Sequence, residues 1–324
     1  MNRLRIYVDL AMPSEVREHL EMETVAHELV FPAKSVTSVL AQGELDPQFA
    51  TVDIAFGQPD PRAIAEAQQL KWIHISSSGI TRYDNPEFRA LAARRQIVVS
   101  NSASVFQEPC AVHALSFMLA QARKLPLALS SRESSGTNQW NTLRQSSSTL
   151  RGETVVIVGY GAIGARLAEL LRPFEMNVVA CRRQPRGDEG ISVIPLNKLD
   201  QSLASADHVM NILPDSRETK RLFDQKRFAS MKQGAVFYNI GRGATVDQSA
   251  LGDALRSGRL SAAWLDVTDP EPLPEDHSLW SAPNCFITPH IAGGHLNETG
   301  TLVRHFLDNL NRFLRGELLK DRVM

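Results

Sequence analysis

Gly159-Tyr160-Gly161-Ala162-Ile163-Gly164 stands between an apolar run, Thr154 to Val158, and an amphipathic run that begins at Ile163. Read in order, this is a strand, a glycine turn and a helix, the layout in which Gly-x-Gly-x-x-Gly binds the pyrophosphate of a dinucleotide. Gly159 permits the tight turn, Gly161 lets the backbone approach the phosphates, and Gly164 lets the helix pack against the strand. The phosphate would rest on the first helical residues, Ala162 and Ile163, where uncapped N–H groups and the helix dipole favour an anion. Glycines in turns are common, so the surroundings decide the reading. Ile163, Leu167, Leu170 and Leu171 recur at helical spacing, and Asn177 to Cys181 supplies the second strand of a βαβ unit.

Outward from this turn the alternation continues on both sides. Leu4 to Val8, Val52 to Phe56, Trp72 to Ile75 and Ile97 to Val99 read as strands, with helices at Pro61 to Leu70 and Pro86 to Ala93. Such alternation predicts a parallel sheet covered by helices. A long apolar helix is expected from Ser104 to Lys124. A serine-rich stretch follows, Ser130 to Ser148, with the composition of a flexible linker but with Trp140 asking to be packed. Beyond the fingerprint, strands are expected at His208 to Leu213, Ala235 to Ile240, Ala262 to Asp266 and Cys285 to Thr288. A helix lies ahead of the third of these, capped by Asp247 and stopped at Gly258. Leu296 to Leu314 reads as a further helix. The fold class is therefore α/β, with two parallel-sheet domains.

At 324 residues the chain is long for one domain and suggests two. An apolar share of 43%, a charged share of 22% and a net charge of -1 are those of an ordinary globular protein. Nothing in that balance argues for nucleic acid or an anionic membrane as partner. Met1 to Asp9 carries charges and lacks an apolar run long enough for a signal peptide or a membrane span. Cys110, Cys181 and Cys285 have no paired spacing, which suits a reducing compartment and offers no zinc or disulfide framework. The expectation is a cytoplasmic protein without a metal.

Six blocks then follow in order: Leu150-Arg151-Gly152, Asn211-Ile212-Leu213-Pro214, Asn239-Ile240-Gly241-Arg242-Gly243, Leu265-Asp266-Val267, Pro270-Glu271-Pro272-Leu273-Pro274 and Pro289-His290-Ile291-Ala292-Gly293. In this order and spacing the chain resembles the D-isomer-specific 2-hydroxyacid dehydrogenase family, most densely from Leu150 to Gly293. The resemblance implies a flavodoxin-like substrate-binding domain, residues 1-102 with 294-324, into which a Rossmann NAD(P)-binding domain, residues 103-293, is inserted. It implies long helices at both crossings and one cleft that closes. It also implies a homodimer through the nucleotide-binding domains, with contributions from the Ser104 helix and the Trp140 arm.

Reducing a 2-keto acid needs a hydride at C2, a proton for the carbonyl oxygen and a cation for the carboxylate. A nicotinamide supplies the first and the protein must supply the others. Arg242 suits the clamp, since a guanidinium stays charged and its planar fork matches a carboxylate. By resemblance His290 is the acid, and Glu271 bonds its other ring nitrogen and fixes the ring. Resemblance also implies Leu213, Pro214, Ile240 and Gly293 along the dinucleotide and Asp266 on the nicotinamide carboxamide. A structural cap is the competing reading of Asp266, a carboxylate at the end of an apolar strand. The substrate carboxylate would meet backbone N–H groups at Ser77, Ser78 and Gly79, in a turn that the family usually builds from glycines.

NAD-preferring members of the family carry an aspartate after the second strand of the nucleotide domain, where it binds the adenosine ribose. Counting from Gly164, that position falls on Arg182, which Arg183 follows. Arginines attract a 2′-phosphate and can bond it twice, so NADP(H) is expected over NAD(H). This segment and Pro270 to Pro272 look like those of the glyoxylate/hydroxypyruvate reductases within the family. A small 2-keto acid is thus the expected substrate and the D-2-hydroxy acid the product. Two other readings stay open: a reductase of a bulkier 2-keto acid, and a non-catalytic dinucleotide-sensing corepressor, because fold does not fix function.

Overall fold

Short strands alternate with helices along both parts of the chain, and each part builds its own parallel sheet. The computed structural model describes residues 3–38, 40–131 and 135–324. Met1 and Asn2 of the charged N-terminal stretch, and residues 132–134 of the serine-rich stretch, lie outside the described residues. One unit comprises the described residues up to Phe106 together with His295–Met324, and the other comprises Gln107–Gly294. The division after Phe106 falls within the Ala103–Ala122 helix. Among the described residues, no helix is long and apolar enough to cross a membrane.

The first sheet contains β1 (Arg5–Val8), β2 (Glu28–Val30), β3 (Ile54–Gly57), β4 (Trp72–Ile75) and β5 (Val98–Ser100), all parallel, in the order β2-β1-β3-β4-β5. Both faces are covered, which is why β3 and β4 are buried at every position and not at alternate ones. On one side Phe49, Ile64, Tyr83 and Phe88 pack against Ile73 and Ile75. On the other the Glu298–Leu314 helix lays Phe306 flat against Phe56, ring centroids 4.4 Å apart, and against Trp72 at 5.3 Å. The strand β2, only three residues long and at the edge, carries too short a pattern to be read from sequence.

Asp9, just past β1, is buried beside this sheet. Its Oδ1 accepts the Gln58 N–H at 2.8 Å, whereas Oδ2 has no partner among the described residues. Burial pushes the carboxyl up to about 7. Gly57, at φ 135°, makes room for it, since a Cβ there would lie 1.6 Å from Asp9 Oδ1.

The second sheet contains β6 (Thr154–Val158), β7 (Asn177–Cys181), β8 (Ser192–Ile194), β9 (His208–Asn211), β10 (Ala235–Asn239), β11 (Leu260–Leu265) and β12 (Cys285–Ile287), also parallel. Its order is β12-β11-β10-β9-β6-β7-β8, so the chain leaves β6 in one direction and returns to build outward in the other. The crevice at the carboxyl end of β6 is the topological switch point, and the glycine turn lies there. Phe223, Phe228, Phe237, Leu251 and Leu265 form part of the core. The Gln248–Arg256 helix has the expected cap, Asp247 Oδ1 accepting from Ser249 N and Ala250 N at 3.1 Å each. Gly258, at φ 69°, follows it. Within the serine-rich stretch, Asn138–Ser146 is a helix and not a linker: Thr137 caps it, and the Arg144 guanidinium lies 4.6 Å from the centre of the Trp140 ring.

A carboxyl raised by folding from 3.8 to about 7 favours the folded state below the unfolded value, and that contribution is lost as pH rises through about 7. Asp9→Asn removes the titration. Its melting temperature relative to wild type should therefore climb between pH 5 and pH 7.5 and level off above. A difference that stays constant across that range would show that Asp9 is not the titrating group.

Candidate active site

The glycine turn is built by close backbone contacts. Gly159, at φ 105°, packs so tightly on the segment after β9 that a Cβ would lie 2.8 Å from the carbonyl of Ile212. At Gly164 a Cβ would lie 2.8 Å from the Gly159 carbonyl oxygen and 3.2 Å from Ile157. Gly161 is different, because a Cβ there meets nothing within 4 Å. The Ala162–Leu171 helix starts at Gly161 without a side-chain cap, and Ala165 is the first residue to donate back to it, at 2.9 Å. The N–H groups of Ala162, Ile163 and Gly164 are thus left for an outside acceptor. Open space above Gly161 and uncapped donors behind it fit a dinucleotide pyrophosphate.

Around this turn stand the other expected dinucleotide residues. Leu213 and Pro214 follow β9, and the Thr219 hydroxyl ties their segment down by donating to the Pro214 carbonyl at 2.6 Å. Ile240 follows β10, its N–H on the Asn211 carbonyl at 3.1 Å. Arg182 and Arg183 follow β7, and both are paired with acids: Arg182 lies 3.5 Å from Glu189, and Arg183 lies 2.7 Å from Glu218.

Arg242 is held by a buried amide network. Asn239 Nδ2 donates to the Arg242 carbonyl at 3.2 Å and the Thr245 hydroxyl does so at 2.6 Å. Asn211 Nδ2 in turn donates to Asn239 Oδ1 at 3.1 Å and to the Thr245 hydroxyl at 2.7 Å. The flanking glycines are required by their neighbours: a Cβ at Gly241 would lie 2.5 Å from the Leu213 carbonyl oxygen, and one at Gly243 would lie 1.9 Å from that of Thr268. Gly243 thereby brings the Arg242 loop onto the segment that carries Glu271. Gln248 clamps that segment from the other side, its Oε1 accepting the Asp269 N–H at 2.9 Å and its Nε2 donating to the Asp269 carbonyl at 2.7 Å. Burial pushes the Arg242 guanidinium down from its usual value, and the Glu271 charge opposes that.

His290 and Glu271 are in contact, Nδ1 to Oε1, at 2.7 Å. With Nδ1 engaged, Nε2 is the ring nitrogen available to a substrate. His290 sits at φ 52°, in the left-handed region, and its N–H is shared between the carbonyls of Asp266 at 2.9 Å and Thr288 at 3.0 Å. The next two N–H groups, of Ile291 and Ala292, donate to the Asp266 carboxylate at 2.9 and 2.8 Å, and the Thr288 hydroxyl does so at 2.6 Å. Asp266 is therefore bound up as the cap of the turn that presents His290, with His113 3.6 Å away. Gly293 lies directly after this turn, half-buried.

In the other unit, the turn after β4 is similarly pinned. Ser102 N donates to the Ser77 carbonyl at 3.1 Å and Asn101 Nδ2 to the Ser78 carbonyl at 2.6 Å. Gln58 Nε2 reaches the hydroxyls of Ser76 and Ser77 at 3.1 and 3.0 Å, and the Ser77 hydroxyl is spent on the Gly79 carbonyl at 2.7 Å. Among the described residues, the N–H groups of Ser77, Ser78 and Gly79 meet no acceptor. Gln248 acts on main chain of another loop, Gln58 and Asn211 act on side chains far along the chain, and Asn239 acts on the main chain of its own turn. No spacing rule in the sequence announces such contacts, although both asparagines fall within recognisable blocks.

Residues 115–292 match the family described as D-isomer specific 2-hydroxyacid dehydrogenase, NAD binding domain. The glyoxylate reductase/hydroxypyruvate reductase of Homo sapiens is 34% identical over 255 residues, 78% of this chain and 76% of the relative. Glyoxylate/hydroxypyruvate reductase B of Klebsiella pneumoniae subsp. pneumoniae is 33% identical over 281 residues, 85% of each chain. Among solved structures, the NADPH-dependent glyoxylate/hydroxypyruvate reductase of Sinorhizobium meliloti, in complex with NADP and malonate, superposes with a TM-score of 0.75 at 26% identity. That likeness covers 99% of this chain and 97% of the other.

Two glycine substitutions separate packing from ligand access. Gly243→Ala forces the Arg242 loop off Thr268 and should destabilise the fold by about 1–3 kcal/mol. Gly161→Ala has room and an extended backbone, so its stability should stay within about 0.5 kcal/mol of wild type, while dinucleotide affinity falls. Denaturant midpoints and binding titrations on both variants check this. Equal destabilisation of the two would contradict the packing described.

Proposed function

The chain belongs to the D-isomer specific 2-hydroxyacid dehydrogenase family, and we propose that it uses NADPH to reduce a small 2-keto acid, glyoxylate or hydroxypyruvate, to the D-2-hydroxy acid. The observation that carries this reading is the 2.7 Å pair of Glu271 and His290, with the Glu271 charge acting on the half-buried Arg242. When bound, a reduced nicotinamide supplies the hydride for C2 of the keto acid. His290 gives its Nε2 proton to the carbonyl oxygen as that oxygen gains charge. Glu271 keeps the ring oriented through Nδ1 and supplies the countercharge for the imidazolium that reacts. Arg242 holds the carbonyl oxygen and carboxylate, and its burial strengthens that hold as charge develops. We assign the free N–H groups of Ser77, Ser78 and Gly79 to the substrate carboxylate, and Gly159 to Gly164 with Leu213, Pro214, Ile240 and Gly293 to the dinucleotide. Asp266 we assign to the nicotinamide carboxamide only through the turn that it caps. Arg182 and Arg183 are assigned to the 2′-phosphate, supported by their place after β7.

Val112, Leu125, Leu127 and Leu129 are exposed apolar residues of the nucleotide-binding unit. We assign them to a homodimer interface. The unpaired spacing of Cys110, Cys181 and Cys285 in the sequence fits a reducing, cytoplasmic setting.

Initial rates of NADPH and NADH oxidation with glyoxylate, hydroxypyruvate, pyruvate and a bulky aromatic keto acid should favour NADPH and the two smallest polar acids. Dinucleotide binding without turnover on any of them would move the assignment to a non-catalytic sensor. His290→Ala should lose about a hundred- to ten-thousand-fold in turnover with NADPH affinity intact. Near-normal turnover would remove His290 from the role of acid. Light scattering should give twice the mass of one chain, and a monomer would rule out the apolar interface.

A further inference from the structure

Glu189 stands in the segment that follows β7, and its side chain is 6% exposed, unlike an ordinary surface glutamate. Its Oε1 accepts the Arg186 N–H at 2.6 Å and its Oε2 accepts the Gly187 N–H at 2.8 Å. The Arg182 Nη1 lies 3.5 Å from Oε1. Two successive backbone N–H groups turned on one anion, with a guanidinium alongside, make an anion-binding nest. In this chain the anion comes from the same loop. Those N–H donors hold the Glu189 carboxyl below its usual range, so it stays ionised in place.

We propose that Glu189 is an internal stand-in for the 2′-phosphate of NADPH: its carboxylate fills the nest of Arg182, Arg186 N and Gly187 N until the phosphate displaces it, and this competition sets the preference for NADPH over NADH. The inference rests on the assignment of Arg182 to the adenosine ribose. A phosphate monoester carries nearly two charges and three acceptor oxygens, against one charge and two oxygens for the carboxylate, so it wins the shared donors. The Arg182 contact is the longest of the three and partly open to water, which makes the guanidinium the group that is released first. NADH has no phosphate to place there and leaves Glu189 where it is.

Dissociation constants for NADPH and NADH, measured by titration calorimetry on wild type, Glu189→Gln and Glu189→Ala, test this without turnover. Glu189→Gln keeps the side-chain volume but not the charge. It should tighten NADPH by about tenfold, the worth of one charge-assisted contact, and change NADH by less than about twofold on the same scale. Glu189→Ala should move in the same direction, and adenosine 2′-monophosphate should follow NADPH. Weaker NADPH binding in both variants would overturn the proposal and make Glu189 an organiser of the loop. Equal changes for the two dinucleotides would overturn it as well. A wild type that prefers NADH would refute the cofactor assignment alone, provided that Glu189→Gln still shifts the ratio toward NADPH. An unchanged ratio would refute the stand-in.

Discussion

One buried carboxylate fixes the geometry of the reactive end of the second unit. Asp266 takes two successive backbone N–H groups and a threonine hydroxyl, all donated by the turn after β12. That turn holds His290 in left-handed backbone, which an L-residue with a Cβ adopts only when its surroundings insist on it. Without the Asp266 anchor the turn could relax, and the ring would lose the direction that brings Nδ1 to Glu271. Asp266 therefore determines where the His290 ring is held, although it is itself buried.

The opposite wall is positioned by the absence of side chains. At Gly241 and Gly243 neighbouring backbones come closer than any Cβ allows, so the Arg242 loop is wedged between the segment after β9 and the segment leading to Glu271. The amides of Asn211 and Asn239 then satisfy the polar groups that such crowding buries. Rigid backbone contacts place the charged groups, and the charged groups need only short reaches to meet. The carboxylate of Glu271 and the imidazole of His290 are thereby held in contact, on a segment that Gly243 packs against the Arg242 loop.

Much of this was legible in the sequence because glycines report close approach. The strand, turn and helix around Gly159 to Gly164 follow from apolar periodicity, and β6 and β7 span the runs expected for them, Thr154 to Val158 and Asn177 to Cys181. Of the four edge strands, β5 and β12 were expected at Ile97 to Val99 and Cys285 to Thr288, whereas β2 and β8 were not read. In the serine-rich stretch composition alone says linker while Trp140 asks to be packed, and a helix forms there, with Thr137 as its cap and the Arg144 guanidinium over the Trp140 ring. Side chains that act on main chain, such as Gln248 on Asp269 from another loop and Glu189 on Gly187 within one loop, leave no trace in spacing. Contact between Glu271 and His290 was expected only through resemblance, and the fold brings the two residues together across an intervening strand.

The Glu298–Leu314 helix completes the first sheet from far along the chain, its Phe306 closing over Phe56 and Trp72. On the ribosome, the strands of that sheet emerge first and must then wait while all of Gln107–Gly294 is translated. For that interval Phe56 and Trp72 lack the cover of Phe306, and exposed apolar surface attracts other chains. The inserted unit, contiguous in sequence, has everything it needs as soon as it leaves the exit tunnel. Translation order thus makes the interrupted domain the one whose sheet is completed last.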